Sequence, residues 1–188
     1  DRGDVMDLIG RLLVHLFQKT MDIRVPPKIA TLSYDEAMST YGSDKPDLRF
    51  DLPLTDITDL AKSSQFGVFL RAIENGGIVK GIRIPGAAKF SRKELDDIVA
   101  ETQGYGAGGF AYFKVAEGKL ASNIAKYFSD GILAEIRGRM MAEDGDVVGF
   151  VAESPSTANT VLSQLRSSLG RKLNLIAPGK NAFVWVLD

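Results

Sequence analysis

The chain has no cysteine, and among its 188 residues there is one histidine and one tryptophan. Without cysteine there is no disulfide, no thiolate nucleophile and no cysteine-based metal site, a composition compatible with a reducing cytosol. His15 is the single imidazole; with no second His and no Cys to complete a ligand set, and no identifiable partner for a serine triad, it reads as a helix-surface residue rather than a metal ligand. Charge of neither sign dominates. The 23 basic and 24 acidic residues leave a net charge of -1, so any contact with nucleic acid has to be local. Arg11 and His15 interrupt the best apolar run well short of the roughly 20 residues that span a bilayer, so no membrane partner is expected. No secretory leader is visible either.

What is present suits a packed core, with 45% of residues hydrophobic. Val5, Leu8, Ile9, Leu12, Leu13 and Leu16 recur at helical spacing and give a first helix one apolar stripe. Ser33 and Glu36 form a capping box for a short helix through Met38, stopped by Gly42. From Phe66 strands and helices alternate. Gly67 to Ile73 and Gly77 to Ile84 are predicted as strands joined by an Asn75-Gly76-Gly77 hairpin turn. Ser91 and Glu94 cap a helix that turns Leu95, Ile98 and Val99 inward. Phe110 to Val115 reads as a strand that turns at Glu117-Gly118. A helical stretch is predicted from Asn123 to Met141 with a break near Gly131, then a strand from Asp146 to Ala152. Ser154-Pro155 opens a last helix with Ala158, Val161, Leu162, Leu165 and Leu169 on one face. The pattern predicts an α+β fold: a two-layer sandwich, mainly antiparallel, with helices on one face and a helical N-terminal flank.

Templates for catalysis find little purchase. The Gly104-Tyr105-Gly106-Ala107-Gly108-Gly109 stretch is glycine-rich like a phosphate loop, but it follows a helix and leads into a strand, the reverse of the order that aims a helix N-terminus at an anion. A helix C-cap and turn is the better reading. Asp96 and Asp97 are adjacent on one helix and point to different azimuths, and Asp56 and Asp59 have no nearby base. No catalytic residue and no metal ligand is assigned. One local basic stretch stands out: Lys80, Arg83, Lys89, Arg92 and Lys93, with no acidic residue among them. These five are candidate contacts for an RNA backbone, with a solvated basic face as the alternative. No pattern of exposed aromatics accompanies them, so shape and phosphate contacts are the most to expect.

The stretch that core burial does not explain is Tyr41-Gly42-Ser43-Asp44-Lys45-Pro46-Asp47-Leu48-Arg49-Phe50-Asp51, a turn-rich loop of alternating charge. It closely resembles the Tyr-Gly-Ser-Asp-Lys-Pro-Asp-Leu-Arg signature of bacterial-type aspartyl-tRNA synthetases, which are class II enzymes. The resemblance extends through Asp4-Val5-Met6-Asp7-Leu8-Ile9, Tyr34-Asp35-Glu36-Ala37-Met38, Thr55-Asp56-Ile57-Thr58-Asp59-Leu60, Arg83-Ile84-Pro85-Gly86, Tyr105 to Tyr112 and Phe183-Val184-Trp185-Val186-Leu187-Asp188. The middle resembles that family's insertion domain, the GAD domain. The resemblance implies a flank of the catalytic domain at 1–65, the insertion domain at 66–177 and a returning strand of the catalytic domain at 178–188.

It further implies a parent enzyme, an aspartate–tRNA ligase, that activates L-aspartate with ATP and Mg and transfers it to tRNA. Such a parent is expected to be a cytoplasmic homodimer, with Ser43, Asp44, Lys45, Asp47 and Arg49 bordering its active-site mouth. The family grips aspartate and ATP through a Gln-Ser-Pro-Gln element, a motif 2 Arg-Asp-Glu, a His-His-Pro segment and a motif 3 arginine. None of these is in the sequence. The chain is therefore expected to be an inactive piece holding no cofactor of its own, whose partners are the remainder of the synthetase chain and tRNA. Its loop is expected to be less ordered than the insertion domain. The alternative is a tRNA-positioning GAD-type domain of a tRNA-dependent amidotransferase subunit. Tyr41 to Asp51 and Phe183 to Asp188 match the synthetase flanks and favour the first reading.

Overall fold

The computed structural model describes residues 1–26 and 28–188. In chain order its elements are α1 (Arg2–Met21), β1 (Ala30–Ser33), α2 (Tyr34–Tyr41), β2 (Leu54–Asp56), α3 (Thr58–Lys62), α4 (Gly67–Glu74) and β3 (Ile78–Ile84). There follow α5 (Arg92–Gly104), β4 (Ala111–Ala116), β5 (Lys119–Ala121), α6 (Asp130–Arg139), β6 (Val147–Glu153), α7 (Pro155–Lys172) and β7 (Val184–Leu187). The capping boxes read from the sequence are present at α2 and α5, where Glu36 and Glu94 reach back to Ser33 and Ser91. Ser154 caps α7, with Pro155 in its first turn, where the missing N–H costs no helical hydrogen bond.

Two sheets form. β1 and β7 pair in parallel, Ala30 opposite Val184 and Ser33 opposite Leu187. The main sheet runs β2-β3-β6-β4-β5, and every neighbouring pair in it is antiparallel. Its centre is the β3–β6 ladder, in register from Ile78 opposite Glu153 to Ile84 opposite Val147. The α+β architecture and the mainly antiparallel sheet are thus as the sequence pattern predicts. The helices, however, cover both faces. Side chains alternate across a strand, so Ile82, Ile84, Val147 and Val151 pack with Leu95, Ile98 and the apolar face of α7. Val79, Val148 and Phe150 pack on the other side with Leu60, Phe69 and Ile136 from α3, α4 and α6. The second core is rich in aromatic edge-to-face contacts, including Phe66–Phe69 at 4.8 Å and Phe113–Phe128 at 5.6 Å. β2 precedes Phe66 in the chain yet forms one edge of this sheet, and Phe50, Leu52 and Leu54 are buried in the first core.

Two predicted elements need correction. Residues 67–74 are a helix, not the first arm of a hairpin. A short apolar run fits both periods, and here Phe69 is buried with Phe66 and Ile73 beside it, the spacing of a helix face. Asn75-Gly76-Gly77 ends that helix: Gly76 takes φ 78°, and Gly77 lies so close to the carbonyls of Ala72 and Glu153 that a Cβ would sit 2.7 and 2.8 Å from them. The stretch expected to be helical from Asn123 is instead a single 3-10 turn at Ala125–Tyr127, and α6 starts only after Ser129 caps it. The apolar stripe on α1 also behaves differently from an ordinary core helix. Val5, Leu8, Leu12 and Leu16 are 49–60% exposed, and α1 instead touches the rest through Gly10 and through Phe17, whose ring meets Phe183 edge-on at 5.1 Å.

Gly81 sits in mid-ladder beneath the buried ring of Phe150, where a Cβ would fall 2.6 Å from Cε1 of that ring and 2.7 Å from the Gly149 carbonyl oxygen. Gly81→Ala should therefore cost about 2–3 kcal/mol from overpacking alone. Urea unfolding of the variant measures this, and a midpoint equal to wild type would show that the ladder can give way there.

Candidate functional site

The charged loop between α2 and β2 carries backbone carbonyls with no regular ladder to satisfy them, and Arg166 supplies the donors. This arginine lies on the buried face of α7 and is 2% exposed. Its Nε donates to the Leu52 carbonyl at 3.0 Å, Nη1 to that of Asp47 at 2.9 Å and Nη2 to that of Phe50 at 2.9 Å. The guanidinium lies over two rings, its carbon 4.2 Å from the Phe50 centroid and 4.8 Å from that of Tyr41. Burial pushes its pKa down, with Tyr41, Asp47 and Asp51 opposing that shift. The planar guanidinium donates to three carbonyls while its face lies on two rings, a combination that an ammonium does not offer. Gly42 permits the same close approach: it takes φ 70° and packs directly on the Asn159 carbonyl of α7.

Within the loop, Asp47 and Arg49 form a bidentate pair, Nε to Oδ1 at 2.9 Å and Nη2 to Oδ2 at 2.7 Å, and the Arg49 amide also bonds Oδ1. The Arg49 hydrogen bonds, against some burial, hold the Asp47 carboxyl below its ordinary pKa, helped by the charges of Arg49 and Arg166. Ser43 Oγ accepts from the Lys45 amide at 3.0 Å. Asp44 and Lys45 are exposed, and no ion-pair partner for either is found among the described residues. The loop thus packs within this chain on α7.

Between loop and helix runs a cleft of about 250 Å³ lined by Tyr41, Ser43, Lys45, Asp47, Tyr105 and Arg171, with Ser163, Gln164, Arg166 and Ser167 on its α7 wall. A clasp between α5 and α7 stiffens this wall: Glu101 accepts from Tyr105 Oη at 2.7 Å, Ser168 Oγ at 2.6 Å and Lys172 Nζ at 2.6 Å. Burial alone would raise the Glu101 carboxyl, but those three donors outweigh it and hold its pKa below the ordinary value.

The five basic residues expected to face RNA do not form one surface. Lys80 and Arg83 have opposite parity on β3 and point to opposite faces of the sheet. Lys80 is 3% exposed and donates to the Met38 carbonyl at 3.0 Å and to Asn159 Oδ1 at 2.6 Å, tying α2 to α7. Arg83 binds the buried carboxylate of Asp146 through Nε at 2.7 Å, Glu143 at 3.2 Å and the Met141 carbonyl. Lys89, Arg92 and Lys93 remain exposed around the start of α5, Arg92 within 3.8 Å of Asp96. Asp59 pairs with Arg139 across α3 and α6. The glycine-rich stretch ends α5 and leads into β4, with the Gly108 amide donating to Glu153 Oε1 at 2.7 Å. His15 is exposed on α1. Among the described residues, no three His, Cys, Asp or Glu side chains are placed to hold a metal ion, and no helix is long and apolar enough to cross a membrane.

Sequence reasoning overlooked Arg166. The one signal available was an arginine at helical spacing from Leu162 and Leu169 and next to Leu165, on the apolar face of a helix, where a charge has to find acceptors inside the core.

The GAD domain family matches residues 69–162. This chain belongs to it. The GAD domain takes in β3 to β6 and the first part of α7, including Lys80 and Asn159, while Arg166 and the charged loop lie just outside the matched span. The chain as a whole is similar to the aspartate–tRNA(Asp/Asn) ligase of Persephonella marina, 44% identical over 100% of this chain and 31% of that protein. It is also similar to the aspartate–tRNA ligase of Geobacillus kaustophilus, 41% identical over 100% of this chain and 32% of that one. A third relative, the aspartate–tRNA(Asp/Asn) ligase of Moorella thermoacetica, is 38% identical with 100% and 31% covered. The chain therefore spans about a third of the length of these curated relatives. A solved structure of a hypothetical protein from Pyrococcus horikoshii OT3 is only slightly alike, at TM-score 0.37 and 20% identity over 56% of this chain and 55% of that one.

Two outcomes follow for the residues that join the GAD domain to the loop. Arg166→Met strands three carbonyls without a donor and should cost about 3 kcal/mol or more, with faster amide exchange from Arg49 to Leu52. A loss under about 1 kcal/mol with unchanged exchange would mean that water replaces the guanidinium. Burial pushes the pKa of Lys80 down to about 8 from its ordinary 10.5, with Asp56 opposing the shift. Between those two values the unfolded chain binds more protons than the folded one, so Lys80 makes stability rise with pH through that window. Below about pH 8 its desolvation cost is fully present. The stability difference between wild type and Lys80→Met, measured by denaturant unfolding from pH 7 to 10.5, should therefore move in favour of wild type as pH rises. A pH-independent difference would contradict this.

Proposed function

We propose that this chain is the GAD-bearing part of an aspartate–tRNA ligase, and that the whole protein activates L-aspartate with ATP and Mg and transfers it to tRNA as a cytoplasmic homodimer. The observation that supports this reading most directly is similarity to aspartate–tRNA ligases along the full chain, including both flanks of the GAD domain. A free-standing amidotransferase-type GAD domain would not account for those flanks. The pairing of β1 with β7 also fits, since it joins the segments on either side of the inserted domain into one small sheet. The exposed stripe of Val5, Leu8, Leu12 and Leu16 is then the face that the remainder of the ligase covers.

In this reading the GAD domain is a rigid neighbour of the active site. Ser43, Asp44, Lys45, Asp47 and Arg49 border the mouth, and Arg166 holds the loop through the carbonyls of Asp47, Phe50 and Leu52. The aspartate- and ATP-gripping motifs lie in the rest of the ligase, because preorganised charge stabilisation needs its donors in place. The relatives carry both the aspartate–tRNA and the aspartate–tRNA(Asp/Asn) ligase names.

Aspartate-dependent exchange of pyrophosphate into ATP separates the two halves of this proposal. The whole protein should exchange and should aspartylate tRNA, while this chain alone should not rise above a blank. Exchange by this chain alone, or none by the whole protein, would refute the assignment.

A further inference from the structure

We propose that the cleft between the charged loop and α7 is a binding site for an RNA phosphodiester, with Lys45 and Arg171 as its two cationic contacts; only the identity of that RNA as tRNA rests on the function proposed above. The two cations come from distant parts of the chain and line the same cavity of about 250 Å³. Neither has an ion-pair partner among the described residues. The one carboxylate that lines the cleft is already occupied, and Asp44, exposed beside Lys45, is not part of the lining. Asp47, the carboxylate in the wall, is held bidentately by Arg49, and Glu101 behind Tyr105 accepts from three donors. Arg166 adds a third positive charge behind the wall, buried and fixed by its carbonyl bonds. The potential in the cleft is therefore positive although the whole molecule carries a net charge of -1.

The neutral donors agree. Ser43 Oγ accepts from the Lys45 amide, which leaves its own proton free for an anion, and the Gln164 side chain lines the same wall. Ser163 and Ser167 donate to the carbonyls of Thr160 and Ser163 and so serve as wall rather than as donors. The size and openness of the site favour a phosphodiester in a passing strand over an enclosed nucleotide. Small-molecule sites usually occupy about 300–1,000 Å³ and bury most of their ligand. No carboxylate in the wall is free to hold the cation that accompanies a nucleoside triphosphate. Two cations and a hydroxyl around one opening match a single phosphate with its two unesterified oxygens.

The test is fluorescence anisotropy of this chain with a fluorescein-labelled single-stranded RNA dodecamer over a series of salt concentrations. Lys45→Ala, Arg171→Ala and the double variant are compared with wild type and with Lys89, Arg92 and Lys93 changed together to Ala. Both target residues are exposed and unpaired, so the variants should melt as wild type does. The double variant should bind roughly tenfold more weakly at low salt, and its plot of log affinity against log salt should flatten by about 0.7, the slope of one lost phosphate contact on a single strand. The triple variant should keep the wild-type affinity to within about twofold. Amide shifts of Ser43, Lys45 and Arg171 on adding RNA give a second readout that needs no variant.

Wild-type binding that is undetectable at the lowest salt, or a double variant indistinguishable from wild type, overturns the proposal. So does a triple variant that loses as much as the double. Complete displacement of the RNA by equimolar pyrophosphate at constant ionic strength would assign the cleft to a free diphosphate instead, and so overturn the phosphodiester. None of these readings depends on aminoacylation. Loss of exchange activity in the whole protein would leave this site standing, and failure of RNA binding here would leave the ligase assignment standing.

Discussion

The rest of the structure is organised by the antiparallel ladder between β3 and β6. It is in register over the full length of both strands, and each strand gives up a side chain to make room for a ring: Phe150 of β6 lies over Gly81 on one face, and Phe110, just before β4, lies over Gly149 on the other. A Cβ at either position would collide with a ring. Because the ladder is apolar on both faces, each face needs its own cover, and the chain supplies α5 and α7 on one side and α3, α4 and α6 on the other. The ladder also separates Lys80 from Arg83 by a whole sheet thickness, so a run of basic residues that looks continuous in sequence is divided in space.

The loop depends on this body through a buried cation that is matched to carbonyls rather than to a carboxylate. A loop with alternating charge has few backbone partners of its own, and buried carbonyls left without donors are costly. Arg166 meets three of them from a helix that is itself locked on the sheet by Val161, Leu162, Leu165 and Leu169. Order in the loop is thereby inherited from the GAD domain next to it. In the ligase proposed above, that arrangement would let the position of the GAD domain set the shape of the loop.

Charge is used mainly for structure. Lys80, Arg83, Arg139 and Arg166 each tie together elements that are far apart in the chain, and Arg49 is taken by Asp47. Among the cations with no ion-pair partner in the described residues are two that line one cleft, whose own carboxylate, Asp47, is held by Arg49. Lys45 and Arg171 are in that position, which is why a nearly neutral molecule can present a locally positive cleft.

Local signals in the sequence determined a good deal. The capping boxes at Ser33 and Ser91, the proline-led start of α7 with its buried apolar face, the turn at Glu117-Gly118 and the β6 strand are all legible, because each rests on residues within a turn of one another. The family was legible in the ordered motif around Tyr41 to Asp51. Where a short apolar run fitted two periods, the sequence was silent: residues 67–74 became a helix because Phe69 found an aromatic core waiting for it, and no neighbour in sequence reports that. The fate of each basic residue was equally out of reach. Whether a lysine or arginine meets solvent, a carbonyl or a carboxylate depends on which strand face it occupies and what long-range pairing brings opposite. Lys80 with Asn159, Arg83 with Asp146 and Arg166 with the loop are contacts that only the tertiary structure decides.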